Sequence, residues 1–186
     1  MTDAVTNARA EHHPEEVKTV MSLIAESERA AVILAAASID SSLEKLLKHV
    51  LHPCAGGSDS LFDGDRALGS FSAKILIAHR LGLIGNDFEH ALQCLRRIRN
   101  DFAHNVNDAS LSTGGHRDRL EILVRWAKTN DSYEAALDAT LNKWGAKSEA
   151  HAKFVVSMMI MMMALKHGID VFKRVSVGAP PIKIGE

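Results

Sequence analysis

The clearest hydrophobic pattern in the chain runs through residues 88–104. At about 100° per residue, Phe88, Ala91, Leu92, Leu95, Ile98, Phe102 and Ala103 fall on one stripe about 140° wide. That spacing predicts a helix packed against a core. Arg99 projects into the middle of the stripe, between Leu92 and Leu95, whereas Arg97, Asn100 and His104 lie on the opposite side. An unpaired guanidinium among Leu and Phe side chains is costly. Arg99 is therefore expected to meet a buried acid or to open into a cleft or subunit interface.

The same period recurs along the rest of the chain. Helical patterning begins near Glu15, breaks around residues 25–27, and resumes over 28–51, where Val32, Ala36, Ile39, Leu43, Leu46, Leu47 and Val50 share a face. Asp40 falls on the edge of that face. Two misfits of opposite charge suggest a bidentate Asp40–Arg99 ion pair across the helix interface. Such a pair would either set the register of the bundle or belong to a site. His52-Pro53 ends this helix, and a loop rich in Gly, Ser and Asp covers 54–69.

Ser70 caps a short helix over 71–81, and Gly82 suits the left-handed position that follows it. Asn86 and Glu89 have the spacing of a reciprocal cap for the Arg99 helix. Beyond a loop at 105–115, helices are expected over 117–128, more weakly over 129–146 with Tyr133, Leu137, Leu141 and Trp144 as anchors, and over 148–174. The last is apolar nearly all round between 154 and 165. That character places it at the centre of the fold or in a contact with a second copy. The chain is thus read as an all-α, single-domain bundle of six or seven helices at 15–175, between a leader (1–14) and a tail (176–186).

Composition sharpens this picture. The chain has 186 residues, of which 46% are hydrophobic and 24% charged, enough for one sizeable core. Its net charge of −1 argues against general nucleic-acid binding, which usually needs a basic surplus. Cys54 and Cys94 form no spaced motif and no secretory segment follows Met1, so a reducing, cytoplasmic setting is expected. The apolar run at 154–165, interrupted only by Ser157, falls short of the roughly 20 residues a membrane span requires. No membrane association and no cofactor are expected. His49, His52 and Cys54 lack a fourth ligand at a suggestive spacing, so no metal is expected either.

Candidate chemistry lies in Arg99, Asn100 and His104, which spell R-N-x-x-x-H at a helix end. They offer a titratable imidazole, a fixed cation for phosphate and an orienting amide. A metal-independent ribonuclease uses such groups for proton transfer at the ribose 2′-hydroxyl and for charge stabilisation at phosphorus. The bland alternative is that His104 simply favours a helix C-terminus as a cation.

The run Arg99-Asn-Asp-Phe-Ala-His104 resembles the R-x4-6-H motif of the HEPN superfamily. The block at 68–84, Leu-Gly-Ser-Phe-Ser-Ala-Lys-Ile-Leu-Ile-Ala-His-Arg-Leu-Gly-Leu-Ile, together with 98–104, looks like the mannitol operon repressor family, with weaker agreement over 28–126. The resemblance implies a helical bundle, a homodimer and a role in transcriptional regulation of sugar-alcohol uptake. It also maps the superfamily's catalytic pair onto Arg99 and His104, with Asn100 in support. The chain has no helix-turn-helix with a basic recognition helix. Direct DNA binding is therefore not expected, and a protein partner is. RNA cleavage stands as the alternative function.

Overall fold

The computed structural model describes residues 14–56, 59–104, 109–176 and 178, and among these the chain is all-helical, with seven α-helices and one short 3-10 turn. In order they are α1 (Pro14–Ala25), α2 (Glu28–Val50), the turn Ser60–Phe62, α3 (Phe71–Arg80), α4 (Asn86–His104), α5 (Gly114–Ala127), α6 (Tyr133–Asn142) and α7 (Glu149–Val171). The expected leader, apart from Pro14, and nearly all of the tail lie outside the described residues.

Helix α7 is the axis. It packs against α1, α2, α5 and α6, and buries Phe154, Val155, Val156, Met158, Ile160, Met161, Met162 and Leu165. By length and apolar composition alone α7 could cross a membrane; here its all-round apolar surface is used to meet four neighbours. Flexible methionine side chains fill the uneven space between those helices. Gly168 lets α7 approach α2, where Leu46 Cδ1 stands 3.2 Å from the position a β-carbon would take.

Local chemistry sets the helix ends. The side chains of Ser27, Ser70 and Ser148 each accept a backbone N–H in the first turn of α2, α3 and α7. After α3, Gly82 takes φ +72° while Leu83 N–H donates to the Ala78 carbonyl at 3.0 Å, which closes the helix as a left-handed glycine can. The expected Asn86–Glu89 cap does not form. Asn86 Oδ1 instead bonds the His79 ring at 2.7 Å, tying the end of α3 to the start of α4, and Glu89 accepts from Gln93.

Helix α6 is shorter than the expected 129–146. Tyr133 is buried, but Leu141 and Trp144 are exposed. Gly145 at φ +72° turns the chain toward α7, and the apolar anchors at the end of this stretch are only partly covered, Leu141 at 37% and Trp144 at 38% exposure.

Glu28 joins three segments at the start of α2. Its carboxylate accepts from Leu111 N–H (3.0 Å), Ser110 Oγ (3.3 Å) and Ser148 Oγ (3.2 Å). Nearby, His151 is buried and shares a hydrogen bond with the Leu23 carbonyl through Nε2 at 3.1 Å, which holds α7 to α1. Burial pushes this imidazole below the ordinary histidine value, against the Leu23 bond and the charge of Glu28.

Candidate functional site: a two-arginine cleft

Helix α4 is covered by α2, α3 and α5, but α3 begins only at Phe71. A cleft of about 390 Å³ opens between its first turn, α2 and α4. Its walls carry Ala36, Ala37 and Asp40 from α2, residues 69–72 ahead of and within α3, and Arg96, Arg99 and Asn100 from α4.

Of the two expectations for Arg99, a buried acid or an opening into a cleft, this gap provides the second. The Arg99 side chain is exposed rather than buried in the apolar stripe. The buried face of α4 runs through Phe88, Ala91, Leu92, Cys94, Leu95, Ile98 and Phe102. It takes in Cys94, which the projection left out, and omits Ala103, which is exposed. A helical wheel gives every turn the same cover; here α3 stops short, so the Arg99 edge emerges into solvent. Arg99 Nη1 donates to Asn100 Oδ1 at 3.1 Å.

The expected Asp40–Arg99 ion pair is replaced. Asp40 Oδ1 lies 2.8 Å from Lys74 Nζ, an ion pair by distance rather than a well-directed hydrogen bond. The same ammonium donates to Glu44 Oε2 at 2.9 Å, and Glu44 Oε1 accepts from Lys48 at 2.7 Å. Lys74 is only 4% exposed. Burial alone would lower its ammonium, but Asp40 and Glu44 outweigh that and hold it above its ordinary value. Burial also works against ionised Glu44, yet Lys48 and Lys74 hold its carboxyl below the usual range.

Lys74 was detectable in the sequence. It projects about 40° from Ala78, at the edge of the apolar face of α3, much as Asp40 does on α2. Two carboxylates one turn apart on α2 then offer a buried ammonium both its partners. Lys48 also lies over the Phe62 ring, 4.8 Å from its centre, which pins the Ser60–Phe62 turn to α2.

The floor of the cleft is set by Gly69. A β-carbon there would collide with the Asp63 carbonyl oxygen and the backbone of Gly64. The loop can therefore fold tightly enough to present Ser70 only with glycine at this position. Ser70 Oγ accepts from Ala73 N–H at 3.1 Å and its carbonyl from Lys74 N–H at 3.1 Å. The first-turn amides of Phe71 and Ser72 have no acceptor inside the helix.

His104 is not part of this cleft. It is exposed at the end of α4, directly before residues outside the described set. Asn100 is half-buried and shares the cleft with Arg99. Within one chain the three motif residues thus divide, with two on the cleft wall and the imidazole beyond it.

A second polar cluster, unnoticed in the sequence, joins α4 to α5. The Asp101 carboxylate accepts from Arg119 and faces His116 Nε2 at 3.3 Å, while His116 Nδ1 meets the Ser110 carbonyl at 3.2 Å. Burial opposes ionised Asp101, but Arg119 and then His116 hold its carboxyl below the usual range. No periodicity links residues 101, 116 and 119, because a loop separates them.

Among the described residues no three His, Cys, Asp or Glu side chains come together as a metal site. Cys54 is exposed and Cys94 buried, both as free thiols. No protein-family model, curated protein or solved structure matches the chain.

Proposed function

We propose that this protein is a regulatory helical bundle of the mannitol operon repressor kind, acting through contact with another protein. The observation that carries the reading is a groove of about 670 Å³ between α1, α2 and α7, whose walls include Leu34, Ala37, Met162 and Ile169. Leu34 is 46% exposed there. Thr19, Ser38, Ser41, Ser42, Lys45 and Lys166 complete the lining, and a groove that combines apolar with polar walls is a surface a partner helix buries on docking. The balance of charge and the lack of a basic recognition helix direct regulation away from direct DNA contact.

The test is capture of a partner by the wild-type protein and by Leu34→Glu. Loss of one defined partner with the variant supports the reading. Equal capture by both overturns it.

A second reading, metal-independent RNA cleavage, is favoured by one observation: with Asp40 held by Lys74, Arg99 is not locked in a structural pair. Assembly of two chains would then have to bring His104 toward an Arg99. RNA cleavage in EDTA that His104→Ala abolishes would establish it in place of the regulatory reading.

A further inference from the structure

We infer that the cleft at the start of α3 is a binding site for a small phosphomonoester, gripped by Arg96 and Arg99. The two arginines stand one turn apart on α4 and both line the cleft. Their hydrogen bonds go to neutral amide groups: Arg96 Nε donates to Gln93 Oε1 at 2.9 Å and Arg99 Nη1 to Asn100 Oδ1 at 3.1 Å. Neither guanidinium forms an ion pair with a carboxylate of the described residues. The remaining donors of each fork are available to a ligand.

The acid facing them does not cancel their charge. Asp40 lines the opposite wall, but Asp40 and Glu44 are matched by Lys74 and Lys48 in a closed network of two negative and two positive groups. Two positive charges therefore remain on the cleft wall. A guanidinium fork matches the spacing of phosphate oxygens and binds them through paired, charge-assisted hydrogen bonds. Ser72, on the α3 side of the cleft, adds a neutral hydroxyl donor. The cleft volume of about 390 Å³ sits at the small end of the range for small-molecule sites. That admits a phosphate with a compact body.

This inference stands apart from the regulatory reading, since binding is measured on the protein alone. Calorimetric titration at low salt with ribose 5-phosphate should show saturable binding, and ribose alone should show none. The Arg96→Gln/Arg99→Gln double variant should weaken affinity at least about tenfold. Arg97→Gln, which changes an exposed arginine outside the cleft, should leave it unchanged. Ser72→Glu gives an independent check, because its carboxylate would occupy the two forks and abolish binding.

The result that overturns the inference is no saturable binding, or binding indifferent to the double variant. A single-stranded RNA lacking terminal phosphates is titrated in parallel. Binding of that RNA with ribose 5-phosphate inert would equally overturn it, and would assign the arginines to backbone phosphodiesters.

Discussion

Lys74 on α3 reaches Asp40 on α2 at 2.8 Å and, with the same ammonium, Glu44 at 2.9 Å. One nearly buried cation thereby answers two carboxylates that stand a turn apart. Its removal strands Asp40 and leaves Glu44 with Lys48 alone. Lys74→Ala should destabilise the fold by about 1–3 kcal/mol, less than breaking a fully buried pair costs because the acids are partly solvated. Asp40→Asn should cost less, since Glu44 still holds the ammonium. Urea unfolding of the two variants measures the difference, and equal losses would contradict the arrangement.

Arg99 gives the opposite expectation. Its side chain is exposed and bonds only a neighbouring amide, so Arg99→Met should change stability by no more than about 0.5 kcal/mol. A large loss in the same unfolding assay would show that the guanidinium carries a buried contact after all.

Gly69 has no room for a side chain, because any β-carbon meets the Asp63 carbonyl. Gly69→Ala should cost about 1–3 kcal/mol through forced backbone movement. It should also displace Ser70 from the start of α3. Thermal unfolding reads the first effect, and weakened binding of ribose 5-phosphate the second.

The Tyr133 hydroxyl is buried with no hydrogen-bond partner among the described residues, and burial, with Glu134, Glu121 and Glu149 nearby, pushes its pKa up to about 12. Deleting the oxygen removes an unsatisfied polar atom. Tyr133→Phe should therefore be neutral or up to about 1 kcal/mol more stable. A destabilised variant would reveal a partner for that hydroxyl.

His151 should make stability pH-dependent. Burial lowers its native pKa, so below about pH 6.5 the unfolded chain takes up a proton that the folded chain does not. Since the unfolded state then binds more protons, stability falls as pH drops from 6.5 toward the lowered native value. His151→Gln keeps a donor for the Leu23 carbonyl without titrating in this range. Its stability should decline less steeply between about pH 6.5 and 5 than the wild type's, as measured by urea unfolding at each pH. Identical slopes would exclude His151 as the source.

Much of the fold was readable along the chain. The helical period of residues 28–51 and 88–104, the serine cap at 70 and the glycine at 82 all act within a few residues, so sequence alone determined them. The apolar belt of α7 also announced a helix at the centre of the fold or shared with a second copy, and four neighbours cover most of it, with Met163 left 40% exposed. What the sequence could not carry was which edges of those helices end up covered. Arg99 and Lys74 are cations projecting onto an apolar face or its edge, yet α3 begins too late to bury the first and lies close enough to α2 to enclose the second. That choice depends on where one helix starts relative to its neighbours. It is a distance across the bundle, and only the tertiary packing contains it.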